Sequence, residues 1–535
     1  MYSEAGRKIP GRLKQSVPLD QFIDRLRRAT MRNDPAVQIL LREILRKFDD
    51  EQAATRVSRR SAAISKFHEV EDRMRTVNGR LAPRAIPSKE WVWTGLIHEA
   101  SQKIARVLPP LTFARITKRA AFGPGATLRN TKERSDLYYK VLHPEVTSQA
   151  RDLLLASMLD RPGWLDLVWD SGEILPAFGS RVTTVPKDSE KDRTIAIEPS
   201  GNMFLQKGIG RVIRTALKRV GVDLDDQSVN QGLAKLGSLY DNLATVDLSA
   251  ASDSVSYWLV RRLLPYDWFN ALEQVRCHRG VLDGRCLKYQ KFSSMGNGYT
   301  FELESLIFWA LAASVIDSMQ LSDTRLAVYG DDIILHCDAV PALEGLLTYC
   351  GFAFNSEKTF ASGPYRESCG KHYWRGRDVT PFYIRKPVDD HETLFLLHNN
   401  LRRWFHRQSS FGGYSRMEAD GILRWLRGFA DPEWSKPRIP DGIGDGAFTG
   451  NFGEVLPEPF LKYGWEGFVA TILCKRPQSF ARRDSAGLLA QLMSYDQHQP
   501  WLEHLEPRTV SRIHYGKPLR KVGRTRVVQW NDLNY

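Results

Sequence analysis

The chain has 535 residues, 42% hydrophobic and 26% charged with 14 Trp, a balance that excludes a disordered tail and is too long for one compact core. Lysine and arginine total 76 against 62 acidic residues, a formal charge of +14 with a pI near 9.4. Such a surface suits a polyanionic partner through counterion release, although many basic proteins bind none. The six cysteines (277, 286, 337, 350, 369 and 474) form no C-x-x-C pair, which argues against a zinc site or a disulfide framework and fits a reducing cytosol.

In chain order, Met1 to Pro10 is polar and lacks the apolar core of a signal peptide. Phe22 and Leu26, then Val37, Leu40, Leu41, Ile44 and Leu45, recur at helical spacing among Arg and Lys, predicting basic amphipathic helices. Gly123-Pro124-Gly125 reads as a turn and domain boundary. Leu243 to Leu248 is a short β-leaning run, and Thr300 to Ile316 a buried helix. The apolar stretch within that helix, Leu306 to Ile316, falls far short of the ~20 residues that span a bilayer. Leu326 to Leu335 places two apolar runs around Gly-Asp-Asp, a hairpin, and Val340 to Tyr349 is a further helix. This order predicts an α+β unit with an antiparallel sheet. Leu394, Leu397, Leu401 and Trp404 mark another helix, and Asp441 to Gly453 reads as a Gly-rich surface loop. Arg508, Arg512, Lys517, Arg520, Lys521, Arg524 and Arg526 make the C-terminus either an RNA-contacting arm or a solvated charged tail.

The chemistry centres on Tyr329-Gly330-Asp331-Asp332. Gly330 permits a tight turn with positive φ that presents both carboxylates at the hairpin tip. Adjacent acids are tolerated in a solvated turn but costly when buried, unless a cation sits between them. Gly-Asp turns are common, so the tetrapeptide alone says little. Its context is Asp247, an isolated acid closing the apolar strand of LATVDLSAASDS. Three such acids are what two magnesium ions need, with substrate phosphates completing an octahedral oxygen shell. The alternative for Asp247 is a turn or helix cap ahead of Ser249 and Ser252.

Asp247 with Asp253, the stretch Ser293-Ser294-Met295-Gly296-Asn297-Gly298-Tyr299-Thr300 and the Tyr-Gly-Asp-Asp hairpin resemble motifs A, B and C of viral RNA-dependent RNA polymerases. More narrowly, DLSAASDS, MGNGYTFELES, YGDDII and Tyr365-Arg366-Glu367-Ser368-Cys369-Gly370 resemble the replicase subunit of the leviviruses, the single-stranded RNA bacteriophages. The resemblance is dense from Val185 to Pro387 and weaker toward both ends.

That resemblance implies roles. Asp247, Asp331 and Asp332 would bind two Mg2+ ions, with Mn2+ as a substitute because both suit oxygen ligands. Asp253 and Asn297, with Gly296 beside them, would read the ribose 2′-hydroxyl. Lys187, Lys191 and Arg193, in the motif F segments Val185-Pro186-Lys187 and Lys191-Asp192-Arg193, would clamp the triphosphate, though a solvated basic loop would look the same. Lys358, in the motif D stretch Asn355 to Thr359, would protonate the departing pyrophosphate. Residues 366–370 would form motif E, with Cys369 serving packing rather than reactivity.

The implied fold is an α+β right hand. Residues 1–120 form an N-terminal helical basic region and 121–240 the fingers with motif F. Residues 241–375 form the palm with motifs A to E and a fingers insertion near 260–290, and 376–535 a helix-rich thumb and C-terminal basic region. The implied activity is RNA-directed RNA synthesis on a viral single-stranded RNA genome, started without a primer. The implied partners are an RNA template and its product, ribonucleoside triphosphates, host elongation factors Tu and Ts and a ribosomal small-subunit protein. The implied setting is the host bacterial cytoplasm, with no membrane partner.

A reverse transcriptase would share the three acids, but Gly330 and the Met-Gly-Asn-Gly text speak against it. A palm-like nucleotide cyclase would need no fingers, yet a long segment precedes motif F. A non-catalytic RNA-binding or capsid-associated protein would be expected to carry a degenerate acid set, and here all three are present.

Overall fold

The computed structural model describes residues 9–31, 33–49, 53–131, 134–462, 465–476, 478–482, 489, 493, 511–514 and 519–534. Two short helices come first, α1 (Leu19–Ala29) and α2 (Pro35–Glu43). Phe22, Leu26 and Ala29 bury one stripe of α1. The start of α2 is set by Pro35, whose ring presets φ, and by Asp34, whose carboxylate accepts from the N–H groups of Ala36 and Val37. Then come the 29-residue α3 (Ala53–Leu81) and α4 (Trp91–Val107).

The hairpin of β1 (Ser180–Pro186) and β2 (Asp192–Ile197) leads into α5 (Ser200–Lys218), α6 (Ser228–Tyr240) and β3 (Leu243–Val246). A second hairpin, β4 (Arg279–Leu282) and β5 (Arg285–Lys288), docks β4 parallel to β1, so one sheet runs β2-β1-β4-β5. There follow α7 (Thr300–Met319), β6 (Ala327–Tyr329), β7 (Asp332–His336), α8 (Val340–Cys350), β8 (Tyr365–Ser368) and β9 (Lys371–Trp374). The chain continues through α9 (His391–Gln408), α10 (Arg416–Arg427), β10 (Trp465–Arg476) and β11 (Leu519–Val527).

The element that positions the acids is the antiparallel sheet β3-β7-β6, with Val246 opposite Ile333 and Tyr329 opposite Asp332. Every residue of β3 is buried, as are Ile333, Ile334 and Leu335 of β7. Behind the sheet α7 packs against α4, α5 and α8 and is apolar nearly all round, which is why it reads as a core helix. Among the described residues no helix is long and apolar enough to cross a membrane. Arg366 of β8 is wholly buried yet satisfied. Its guanidinium donates to the carbonyls of Leu243 (2.6 Å), Gly363 (2.7 Å) and Tyr365 (2.7 Å) and to Asp241 (2.8 Å), tying β8 to the start of β3.

Two large apolar cores emerge, and the N-terminal residues divide between them. Buried side chains from Leu13 to Ile44 join those of 379–527, whereas α3 and α4 join the core around β3, α5, α7 and α8. The stretch 1–120 therefore divides between the two cores, its first part packing on residues 379–527 and α3 and α4 packing mainly on the central elements.

Two local expectations are corrected. Asp441 to Gly453 is not a surface loop throughout: its ends are exposed, but Ala447, Phe448 and Thr449 are at most 1% exposed. The Phe448 ring meets Phe395 edge-on at 4.7 Å, and Gly446 accepts from the Leu473 N–H at 2.7 Å. The glycines make this segment legible as irregular, but Phe448 decides that its middle is buried, while Phe452 stays exposed. At the C-terminus, residues 519–527 are not a free charged tail but strand β11, paired antiparallel with β10 from Val527–Phe468 to Leu519–Arg476. Arg520 spends its charge on Asp390 and Glu392 (3.1 Å). Arg508 and Lys517 lie outside the described residues.

Candidate active site

Because β3 ends at Val246, Asp247 emerges beside the tip of the β6–β7 hairpin, whose two-residue turn is Gly330-Asp331. Gly330 adopts φ +62°, and a Cβ there would lie 2.6 Å from the Phe301 ring, so the turn requires glycine twice over. Its N–H donates to Ser305 Oγ of α7 at 3.0 Å. Asp247 is fastened by the segment after α8. Its Oδ2 accepts from Asn355 Nδ2 (2.6 Å), its carbonyl from the Asn355 N–H (2.9 Å), and its N–H donates to Thr359 Oγ1 (3.3 Å). Asp332 Oδ1 accepts from Ser368 Oγ at 3.3 Å, and its carboxylate also accepts from the backbone N–H of Cys369.

The three carboxylates disturb one another. Burial first, then repulsion from Asp331 and Asp247, pushes Asp332 up to about 7. Asp247 is raised by burial and by Asp331, and Asp331 by burial despite the opposing pull of Lys187, Lys358 and Arg193. Among the described residues no three His, Cys, Asp or Glu side chains converge into a self-contained cation cage. The donor chemistry nonetheless fits a hard divalent cation. All three groups are oxygen donors, all are half-buried, and each is held less acidic than an ordinary aspartate by desolvation first and, for Asp247 and Asp332, by neighbouring carboxylates.

The structure brings most of the sequence-predicted cations to these acids. Lys187 leaves the end of β1; burial and Arg193 push its ammonium down while Asp247 pulls it up. Arg193 on β2 places Nη1 3.7 Å from Met295 Sδ. Lys191 is exposed at the hairpin turn, where its carbonyl accepts the N–H groups of Lys187 (3.0 Å) and Asp188 (3.2 Å). Lys358 Nζ donates to Glu367 at 3.1 Å; burial lowers this lysine, but Glu367 and Asp247 outweigh it and hold it above its usual range.

Asp253 and Asn297 are not hydrogen-bonded to each other. Asp253 Oδ1 accepts from Lys291 (2.7 Å), while Asn297 Oδ1 accepts from the Ser294 N–H (2.6 Å) and from Thr300 Oγ1 (3.4 Å), closing the loop before α7. Gly296, at φ +114°, lies against β2, and the Met295 carbonyl accepts the Ala196 N–H at 2.8 Å.

A family model for the RNA replicase beta-chain matches residues 8–456. The chain belongs to that family. This replicase chain is 41% identical over 447 residues to the RNA-directed RNA polymerase subunit beta of Escherichia virus Qbeta, covering 82% of this chain and 73% of the relative. It is 49% identical over 235 residues to the RNA-directed RNA polymerase beta chain of Escherichia phage MS2, covering 44% of this chain and 43% of that one. The solved structure described as "In situ structure of BmCPV RNA-dependent RNA polymerase at elongation state" superposes with a TM-score of 0.36 at 12% identity, over 64% of this chain and 32% of that one. That likeness is too distant to argue from.

Sequence reasoning placed three further residues inside its motifs without giving them a role of their own: Asn355, which holds Asp247; Glu367, which holds Lys358; and Glu304 of α7. Glu304 is 4% exposed and accepts from Ser252 Oγ at 2.8 Å. Burial, then Asp331, pushes it up to about 8. The available signal was an acid on an otherwise apolar helix face. Glu304 is thus protonated in the folded chain at a pH where the unfolded chain ionises it. Its contribution is fully present below about pH 4.5 and is lost as pH rises toward 8. In chelator, Glu304→Gln is expected to flatten the decline in stability between pH 5 and pH 8, a gain on the order of 3 kcal/mol at the upper end. Denaturant melts at the two pH values check this; parallel wild-type and variant curves would sink it.

Proposed function

We propose that this RNA-directed RNA polymerase carries out nucleotidyl transfer at the β3–hairpin junction, with Asp247, Asp331 and Asp332 as ligands of two Mg2+ ions, Mn2+ serving as a substitute. The supporting observation is the convergence of three half-buried, mutually repelling carboxylates with Lys187, Arg193 and Lys358 around them. When bound, such ions would polarise the attacking 3′-hydroxyl and stabilise charge on the pyrophosphate leaving group. Everything else falls to the chain's own groups. Lys187 and Arg193, with Lys191 at the turn, would clamp the triphosphate and align its α-phosphate for in-line attack. Lys358, kept protonated by Glu367, would deliver a proton to the leaving pyrophosphate oxygen. Asp253 would read the 2′-hydroxyl, with Gly296 and Asn297 shaping the loop beneath it.

On this reading residues 241–375 form the palm, 121–240 and the β4–β5 hairpin the fingers, and 376–535 the thumb, joined by the first N-terminal helices. Initiation would need no primer. Elongation factors Tu and Ts and a ribosomal small-subunit protein would act with the chain in the host bacterial cytoplasm, as the levivirus resemblance implies. The deciding experiment is primer-independent incorporation of labelled ribonucleotides on an RNA template, comparing wild type with Asp331→Asn, with and without the two factors and with Mg2+, Mn2+ or chelator. Templated product lost in the variant and in chelator supports the reading. Equal product in the variant would remove the hairpin from the chemistry.

A further inference from the structure

Residues 252–254 leave the β3 aspartate through a single turn of 3-10 helix (Ala251–Asp253), and their side chains run to three different elements. Ser252 Oγ donates to Glu304 of α7 (2.8 Å), Ser254 Oγ accepts from Arg73 of α3 (2.7 Å), and Asp253 Oδ1 accepts from Lys291 Nζ (2.7 Å). Lys291 is 3% exposed. Its ammonium faces Glu71 of α3 at 3.8 Å and lies 4.4 Å from the centre of the Phe67 ring and 5.4 Å from that of Tyr289. Two carboxylates and two aromatic faces therefore surround one desolvated cation.

Docking of α3 does not rest on that cation alone. The neighbouring residue already makes the join: Glu71 Oε2 accepts the Gln290 N–H (2.6 Å), and Asn78 Nδ2 donates to the Gln290 carbonyl (2.7 Å). A buried ion pair adds little stability over an apolar side chain of the same size, so a lysine stem reaching toward Asp253 needs another reason. What the pair achieves is geometric. Lys291 takes Oδ1 of Asp253, and among the described residues Oδ2 accepts no hydrogen bond, so one carboxylate oxygen is anchored and the other is left for a ligand.

We propose that Lys291 is the positioning residue for ribose selection: it fixes the Asp253 carboxylate, and Glu71 anchors Lys291 from the N-terminal helix α3. This rests on the reading of Asp253 as the group that recognises the 2′-hydroxyl. A carboxylate held at one oxygen discriminates because a deoxyribose leaves its other oxygen buried and unpaired; one that swings freely can turn to water instead.

The test is single-nucleotide incorporation of CTP against dCTP opposite a template G, as the ratio of the two kcat/KM values. Wild type is compared with Asp253→Asn, Lys291→Met, Lys291→Arg and the pair Glu71→Gln with Lys291→Met. Lys291→Met is expected to lower the ratio about tenfold or more, chiefly through a higher KM for CTP, and Lys291→Arg to keep it within about threefold of wild type. The double variant relieves the stranded Glu71 charge, so its Tm should recover toward wild type while its ratio stays low. A wild-type ratio in Lys291→Met beside a collapsed ratio in Asp253→Asn would overturn the proposal, as would an equal loss with both nucleotides that recovers with Tm. An unchanged ratio in Asp253→Asn would overturn the ribose reading itself.

Discussion

Asp332→Asn is expected to lower templated incorporation by about 10³-fold or more and, in chelator at pH 8, to raise Tm. The two effects have one cause. Asp332 is held up at about 7 by burial and by Asp331 and Asp247, so at pH 8 the folded chain confines a repelling charge that the unfolded chain solvates. For an acid raised in this way stability is greatest at low pH and falls as pH rises through about 7, and Asn removes the fall. Asn keeps the shape and can still accept from Ser368, so no cavity offsets the gain. Added Mg2+ should then raise the Tm of wild type more than that of Asp332→Asn, which keeps only Asp247 and Asp331 to hold a cation. Thermal melts with and without Mg2+, paired with incorporation assays, check both halves. Retained synthesis, or a lower Tm in chelator, would contradict this account of the site.

Gly296→Ala is expected to cost about 3 kcal/mol of stability and to reduce kcat/KM about 100-fold. At φ +114° an alanine is strained from the outset, and its Cβ would stand 2.1 Å from the Ala196 carbonyl oxygen. That neighbour is backbone of β2 and cannot rotate away. Moving it breaks the Ala196 N–H bond to the Met295 carbonyl and shifts the strand that carries Arg193. Gly298→Ala is the control two residues on. There the backbone is not in the left-handed region and the nearest atoms are side-chain atoms of α5, Met203 Sδ at 2.9 Å, Lys207 Cγ at 3.0 Å and Gln206 Cβ at 3.1 Å, so the clash is smaller and falls on no backbone atom. Melting and incorporation of the two variants side by side separate the cases; equal, small effects would show that the loop and β2 move independently.

The sequence by itself determined the parts of this protein that rest on neighbouring residues. Gly330 between Tyr329 and Asp331 specifies a tight hairpin because turn geometry spans only four residues, and the apolar run ending at Asp247 specifies a strand end. The same local logic marked the first helices and α7. The roles proposed for the acids came from the family resemblance, since no periodicity carries them.

Only the tertiary structure decided which polar groups meet. Asn355 holds Asp247 from 108 residues away, and Glu71 reaches the Gln290 N–H across 219. The buried place of Phe448 and the pairing of β11 with β10 likewise depend on chain that arrives from elsewhere. Turn chemistry and hydrophobic period report the free energy of a short backbone segment in water. Whether a Lys, Asn or Glu is a solvated surface group or the fixed partner of one of the converging aspartates is settled by desolvation on folding, when segments distant in sequence close around it.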